Sequence, residues 1–336
     1  MNIVEHLQHW LNHETALIND PNPLLVLAIL LITGYVATKV ASKLHIPTVT
    51  AQIVGGIVLG KYVLNLFQDD AFTAFAPITN FALGFIGLTI GSHMDFQKLR
   101  SAGKRISLIT LTDVIITPII IFFTLYYFAH LAFEVCLLIS AISITTAPGS
   151  TLHIIREVRA KGIFTKTVLA VVALNNVFTI LIFYAVFNYL FYKSSMQDIN
   201  IINTVGKSLL MLIESAVVGI SVGSILIYFT ERRKTRISFL AMVILAVVLT
   251  VGTAQLIHLS GLLSCLILGI IITNYSKYNT IFFGAFKDIE IEVFTLFFVL
   301  AGTHFDLLAM KSAGFAGLLL IISRLIGKTF APTLGA

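Results

Sequence analysis

Long apolar runs separated by short polar connections recur along almost the whole chain. An α-helix needs about 20 predominantly apolar residues to cross a bilayer, and runs of this kind give eleven candidate spans. They cover residues 23–41, 48–66, 77–94, 106–128, 131–151, 167–190, 204–229, 237–257, 260–274, 290–303 and 313–333. The pattern predicts an all-α integral membrane protein that is embedded in the lipid bilayer.

The composition supports the same class. Of the 336 residues, 57% are hydrophobic and 11% are charged, whereas soluble domains carry charge on roughly a quarter of their residues. The net charge of +6 could indicate a nucleic-acid partner, but the Lys and Arg residues form short clusters between the apolar runs. Such clusters are typical of cytoplasmic membrane loops, so we predict no nucleic-acid binding.

These basic clusters follow the odd-numbered spans and therefore orient the chain. They comprise Lys39 and Lys43; Lys98, Arg100, Lys104 and Arg105; Arg156, Arg159, Lys161 and Lys166; and Arg232, Arg233, Lys234 and Arg236. Basic connections stay in the cytoplasm, so we predict a multi-pass protein of the inner (plasma) membrane with its N-terminus outside. In this orientation the three-helix unit of spans four to six begins inside, whereas the unit that span eleven would start begins outside. A pair of units in opposite orientation is typical of inverted-repeat transporters.

Residues 1–22 are too short and too polar to span the membrane. They predict an interfacial amphipathic helix before the first span. Its histidines His6, His9 and His13 share one helical face, but no acidic or Cys ligand completes a recognisable metal motif. We therefore predict no metal site.

A helix breaker and several polar residues lie inside the fifth span, in the stretch Thr145-Thr146-Ala147-Pro148-Gly149-Ser150. Pro148 lacks a backbone donor and moves the preceding residue away from the helical region, so we expect the helix to break here. At membrane depth a break is tolerated where it is buried in protein or lines a wet cavity. Its carbonyls could hold an ion or a substrate. The alternative is a proline kink whose own Thr hydroxyls satisfy the backbone.

Two other spans carry polar or charged residues near the bilayer midplane. Asn175 and Asn176 lie in the middle of the sixth span, and unsatisfied amides in hydrocarbon cost several kcal/mol, so the break in the fifth span is their expected partner. Arg324 and Lys328 lie one helical turn apart in the eleventh span. Charged residues at this depth are expensive and functional by default, although Lys328 could instead snorkel toward the interface.

Asp113, in the fourth span, is the best-placed intramembrane carboxylate. It could pair with Arg324 or Lys328, or titrate in its own right. A purely structural ion pair is the alternative, because a lone charge in the membrane is costly. No nucleophile and base, and no metal-ligand set, lie at one depth, so an enzyme is not predicted.

The order of these features resembles the monovalent cation:proton antiporter superfamily, in its Kef-like and bacterial sodium/proton antiporter branch. The resemblance covers residues 23–336. It rests on residues 43–60 (KLHIPTVTAQIVGGIVLG), 85–95 (FIGLTIGSHMD), 145–148 (TTAP), 175–176 (NN), 261–269 (GLLSCLILG), 296–302 (LFFVLAG) and 327–328 (GK). TTAP stands where the family has its unwound crossover, NN where it has Asp-Asp or Asn-Asp, and GK resembles the basic helix facing the ion site.

The resemblance implies an inverted-repeat cation/proton antiporter fold with a broken core helix, in a homodimer that works by alternating access. It also implies Na+ or K+ and H+ as transported species without a cofactor. Thr145, Thr146, Asn175 and Asn176 are then expected to bind the ion, with Arg324, Lys328 and Asp113 as charge partners. About thirteen spans are expected in the family, so we expect the natural chain to continue beyond the second repeat's first span, and a C-terminal or separate regulatory partner is possible.

The implied domains follow the order of the spans. They are an interfacial helix (1–22), dimerisation-domain spans one to three (23–104), core spans four to six (105–192), a linking span seven (193–236), dimerisation-side spans eight to ten (237–310) and the first span of the second core repeat, truncated here (311–336).

The main departure from the family is at residue 176. The family's carboxylate at this position ligates the cation and carries the proton, whereas Asn cannot titrate at physiological pH. Three explanations stay open. The chain is an antiporter with atypical or impaired coupling, through an engineered amide or a carboxylate relocated to Asp113. It is a non-transporting, ion-responsive sensor or membrane anchor. Or Arg324 and Lys328 make the site anion-selective.

Overall fold

A computed structural model of the chain describes residues 22–64, 75–194, 201–230 and 236–336. The predicted interfacial helix, with His6, His9 and His13, lies outside these ranges. Within them the chain is helical: α1 Pro23–Leu44, α2 Thr48–Leu59, α3 Ala76–Ser92, α4 Phe96–Leu99, α5 Gly103–Phe128, α6 Phe133–Ile142, α7 Pro148–Glu157, α8 Ile163–Ser194, α9 Ile201–Thr230, α10 Arg236–Leu256, α11 Gly261–Tyr275, α12 Asn279–Thr303 and α13 Leu307–Gly335. The prediction of an all-α fold is confirmed.

Six helical segments in the described ranges are long and apolar enough to cross a membrane. They are Pro23–Leu44, Gly103–Phe128, Ile163–Phe191, Leu209–Thr230, Phe239–Leu256 and Leu307–Gly335. Helices α2, α3, α6 and α11 are apolar but shorter. Each of the eleven predicted spans overlaps a helix, but the number that cross the membrane stays a prediction.

The second and tenth predicted spans have limits that differ clearly from those of the helices that they overlap. The second was predicted over residues 48–66, but α2 ends at Leu59 and Gly60 caps it in an extended conformation. The tenth was predicted over residues 290–303, but α12 begins at Asn279. Hydropathy misses the first half of α12 because Lys287 and Asp288, just before the predicted span, interrupt the apolar pattern.

The chain divides into two compact units. Unit 1 comprises the described part of Met1–Ala82 together with Ile289–Leu307, and unit 2 comprises Leu83–Asp288 and Leu308–Ala336. In unit 1, buried Gln52 on α2 donates to the hydroxyl oxygens of Thr38 on α1, at 3.2 Å, and Thr295 on α12, at 3.0 Å. A buried amide therefore links three helices of this unit.

Small residues let helices of unit 2 approach closely, as the glycines inside the apolar runs predict. A Cβ atom added to Gly91 on α3 would meet the Leu266 carbonyl and the Cα of Gly269 on α11, and one added to Gly269 would meet Gly91 in turn. Any side chain at either position would force these two backbones apart.

Two interruptions of helix in unit 2 concern the predicted site. The fifth span breaks as predicted: α6 ends at Ile142, and α7 begins at Pro148. Proline suits the first position of a helix, where its missing N–H is not needed. The second interruption was not predicted: Gly314 in α13 has φ 45° and ψ −123°, a conformation open mainly to glycine. The segment of α13 after Gly314 carries Arg324 and Lys328.

Candidate ion site at the broken helix

The break between α6 and α7 exposes three successive backbone carbonyls, and each accepts a hydrogen bond from a side chain of another helix. The Ile144 carbonyl accepts from Lys328 Nζ. The Thr145 carbonyl accepts from Arg324 Nη2 at 2.6 Å, and the Thr146 carbonyl accepts from Asn176 Nδ2 at 3.0 Å. Side chains from α8 and α13 thus replace the helical hydrogen bonds that the break removes, as an irregular segment at membrane depth requires.

The ammonium group of Lys328 lies among three oxygen atoms from two segments, α5 and the break between α6 and α7. Besides the Ile144 carbonyl, it contacts Asp113 Oδ2 at 2.8 Å and the Thr146 hydroxyl at 3.2 Å. These partners match the three N–H donors of a lysine. Lys328 therefore points into the protein and does not snorkel.

Asp113 is the acceptor at the centre of the cluster. Its side chain is 2% exposed. One carboxylate oxygen accepts from the Thr117 hydroxyl at 2.6 Å, and the other accepts from Lys328 and from Asn175 Nδ2, the latter at 2.7 Å. Three donors thus bond to the Asp113 carboxylate where water is largely excluded.

The two asparagines have different partners. Asn176 Nδ2 donates to the Val172 carbonyl at 2.7 Å as well as to Thr146, and its Oδ1 accepts from the Thr145 hydroxyl at 2.6 Å. Asn175 Nδ2 donates to Asp113 and lies 3.5 Å from the Thr146 hydroxyl, but its Oδ1 is buried without a hydrogen-bond partner. This oxygen is an unused acceptor beside Asp113.

Close packing of α5 and α13 brings Lys328 within reach of Asp113. A Cβ atom added to Gly327 would lie 3.1 Å from the side chain of Thr117 on α5, and one added to Gly335 would press on Ile109 and Thr112 of the same helix. These two glycines lie two helical turns apart and therefore face the same side. Their small size sets the spacing of the helices that carry the ion pair.

The structure brings together all seven residues predicted for the site. They are Asp113, Thr145, Thr146, Asn175, Asn176, Arg324 and Lys328. Of the two predicted partners of Asp113, Lys328 forms the pair and Arg324 does not, since Arg324 donates to the Thr145 carbonyl.

Sequence reasoning missed Thr117 and the carbonyls of Ile144 and Val172. Thr117 could have been found, because it follows Asp113 by four residues on one helical face. The Ile144 carbonyl carries no signal of residue type and depends on where the helix unwinds. The Val172 carbonyl lies four residues before Asn176 in α8, so helical spacing could have found it.

Among the described residues, no group of three or more His, Cys, Asp or Glu side chains could hold a metal ion. The site instead combines one carboxylate and two cations with amide, hydroxyl and carbonyl oxygens. Oxygen atoms of these kinds can coordinate monovalent cations.

The helical fold and a buried charged site at a broken helix define a membrane transport protein of inverted-repeat type. Residues 26–335 match the family model described as "Sodium/hydrogen exchanger, transmembrane". The chain therefore belongs to the sodium/hydrogen exchanger family, and the resemblance to the monovalent cation:proton antiporter superfamily is confirmed.

A solved structure supports the fold. The sodium proton antiporter MjNhaP1 from Methanocaldococcus jannaschii, determined at pH 8, matches with a TM-score of 0.67 and 20% sequence identity. The match covers 93% of this chain and 78% of that one. Comparison with curated protein sequences finds no match.

Proposed function

We propose that the protein exchanges a monovalent cation, Na+ or K+, for protons by alternating access, and that Asp113 binds the cation and the proton in turn. One observation carries the proposal: the buried Asp113 carboxylate shares Lys328 with the unwound segment between α6 and α7. Among the described side chains that form the site, it is the only carboxylate. Coupling through residue 176 is not available, because that residue is Asn.

The contacts of Lys328 suggest how cation and proton compete. Its ammonium group lies among the Asp113 carboxylate, the Ile144 carbonyl and the Thr146 hydroxyl, which are the kinds of oxygen that also bind Na+ or K+. A cation entering the site displaces the ammonium group from Asp113. A proton bound by Asp113 removes the negative charge that attracts both the cation and the ammonium group of Lys328. Cation and proton therefore exclude each other, as antiport requires.

Asn176 gives this exchange its atypical character. Its amide Nδ2 already donates to the backbone carbonyls of Thr146 and Val172. A carboxylate at this position would instead need a cation or a proton between its oxygen and these carbonyls. The oxygen set available to a cation is therefore smaller than with an acid here, and we infer weaker or looser coupling.

Flux measurements in proteoliposomes test the proposal. Imposed Na+ and K+ gradients should drive proton movement with the unaltered chain, and Asp113→Asn should abolish it. Asp306→Asn, which makes the same chemical change at an exposed position outside the site, should leave the rate unchanged. Exchange that survives Asp113→Asn would overturn the role of Asp113.

The other two explanations give different outcomes. Absence of flux with both the unaltered chain and Asn176→Asp would favour a non-transporting sensor or membrane anchor. Anion flux that disappears on Arg324→Ala would favour an anion-selective site. The contacts argue against the latter, since Arg324 and Lys328 direct donors at protein oxygens.

The location in the cell and the assembly complete the proposal. The basic clusters after the odd-numbered spans support the inner membrane with the N-terminus outside. The homodimer, the regulatory partner and the division into dimerisation and core domains rest on the family resemblance and stay predictions.

A further inference from the structure

Unit 2 contains a cavity of about 870 Å³ that is distinct from the ion site. None of the seven predicted site residues lines it. Its wall includes the connection between α7 and α8, the first turn of α8, and parts of α3, α7, α11 and α12 that belong to this unit.

The charge of the wall is unsuited to a cation. Arg159, Lys161 and Lys166 line the cavity, and Asp95 is the only acidic residue among the lining residues. An excess of positive charge in a concave, partly apolar site concentrates anions and repels cations. The transported ion of a cation antiporter therefore does not explain this lining.

The start of α8 adds to the positive potential. This helix begins at Ile163, runs for 32 residues and has no acidic residue in its first turn. Thr165 and Lys166, from that turn, line the cavity. The free N–H groups and the dipole at a helix start favour an anion, and phosphate is a frequent occupant.

The remainder of the cavity wall is apolar and is suited to the hydrocarbon part of a ligand. Leu152, Ile155 and Phe283 line the cavity together with the basic residues. Its volume is within the range of about 300 to 1,000 Å³ that is common for organic ligands. A bare inorganic ion would leave most of this space, and most of the apolar wall, without contact.

We propose that this cavity binds an organic phosphate, with the phosphate group at Lys161, Lys166 and the start of α8 and the carbon portion against Leu152 and Ile155. A soluble phosphate ester and the headgroup of an anionic phospholipid present the same chemistry. Lysine binds phosphate as a point charge and needs no fixed approach angle, which suits either source.

Occupancy of the cavity is coupled to the ion site through α7. This helix contributes Leu152 and Ile155 to the cavity wall and begins at Pro148, directly after the unwound segment that Arg324 and Lys328 contact. A ligand that holds α7 favours one position of that segment and so alters exchange. This coupling rests on the proposed function, whereas binding itself does not.

Thermal stability of the full chain in neutral detergent tests binding, since a ligand of the folded state stabilises it by mass action. The soluble probes are glycerol 3-phosphate and inorganic phosphate at ionic strength matched with chloride. The lipid probe is a nanodisc containing phosphatidylglycerol, compared with one of phosphatidylcholine alone. The variant Lys161→Gln/Lys166→Gln loses two charges in the cavity, and Lys39→Gln/Lys104→Gln loses two charges outside it.

We expect a saturable rise in melting temperature with glycerol 3-phosphate or with phosphatidylglycerol. The apparent affinity should fall at least about tenfold in the cavity variant, because that variant loses two charge-assisted hydrogen bonds to the phosphate group. The control variant should behave as the unaltered chain. A response to the ester identifies a soluble source, and a response to the lipid alone identifies a headgroup.

The proposal is overturned if no probe stabilises the unaltered chain, or if the cavity and control variants respond equally. If the double variant does not fold, equilibrium binding of radiolabelled glycerol 3-phosphate to the unaltered chain decides, since it should be displaced by phosphate and not by chloride. Binding without any cation exchange would leave this site intact and reject the proposed function. Cation exchange without binding of any probe would support the proposed function and reject the phosphate site.

Discussion

At the scale of single residues, hydrogen-bond donors hold the unwound segment in place. Asn176, Arg324 and Lys328 each donate to one of its carbonyls. An unpaired carbonyl in an apolar interior loses several kcal/mol of hydration, so these side chains stabilise the break. The Asn at position 176 is therefore compatible with the fold even though it cannot carry a proton.

The substitution Asn176→Asp should make stability depend on cations. It replaces the Nδ2 donor with an oxygen that faces the carbonyls of Val172 and Thr146, and loss of these two hydrogen bonds should destabilise the protein by about 1 to 3 kcal/mol. A bound Na+ or K+, or a proton, would relieve the repulsion between these oxygens. The melting temperature should therefore rise with added cation at high pH and become cation-independent at low pH.

Asn274→Asp is a matched control for that variant. Asn274 Nδ2 also donates to two carbonyls, those of Met94 and Ile270, each at 2.8 Å. We expect similar destabilisation without a cation response, because Asn274 is not part of the ion site. Equal cation responses in both variants would contradict the assignment of the site.

Asp113 and Lys328 should also show strong energetic coupling. Removing one partner of a buried ion pair leaves an uncompensated charge and typically costs about 3 to 5 kcal/mol, whereas removing both costs much less. Asp113→Asn should therefore be less stable than Asp113→Asn/Lys328→Gln. A double-mutant cycle on melting temperatures measures this coupling, and additive effects would show that the pair is not formed.

At the scale of helices, the contact of α5 with α13 sets the geometry of the site. Gly327 lies against Thr117, and Lys328 follows it directly in the chain. Helix interfaces in membranes depend on small residues that let backbones approach. The distance between Asp113 and Lys328 is therefore determined by a residue with no side chain.

The substitution Gly327→Val tests this dependence. Its side chain would press on Thr117, and overpacking of this kind costs about 1 to 3 kcal/mol. We expect lower stability and loss of exchange, because Lys328 moves away from Asp113. The control is Gly317→Val on the same helix, where an added Cβ makes only an ordinary contact with Ala313. Exchange at an unchanged rate in Gly327→Val would contradict the argument.

At the scale of the whole molecule, labelling can test the orientation in the membrane. Lys161, after the fifth predicted span, should face the cytoplasm, and Lys193, after the sixth, should face outward. Both are exposed, whereas Cys136 and Cys265 are buried and give little background. A membrane-impermeant maleimide added outside intact cells should label Lys193→Cys and spare Lys161→Cys. The opposite pattern would invert the topology.

Much of the molecule follows from the sequence alone. Long apolar runs require an environment of lipid and, within it, helices that satisfy their own backbone, so class and fold type are determined by hydropathy. Pro148 indicates a break in the fifth span, because it lacks a backbone donor and moves Ala147 away from the helical region, although Pro118 lies within the continuous helix α5. The cost of burying Asn175, Asn176, Arg324 and Lys328 required that they have partners in the protein, so their membership of one cluster was also predictable.

Only the tertiary structure decided which partners they have. Asp113 pairs with Lys328 and not Arg324 because Gly327 lets that turn of α13 pack against α5. The local sequence pattern does not predict contacts between residues that are distant in sequence. The carbonyls of Ile144, Thr145 and Thr146 accept side-chain hydrogen bonds because of the path of the backbone, which residue type does not encode. The kink at Gly314 was also not predicted from the sequence. A glycine in an apolar run is as compatible with close helix packing as with a kink.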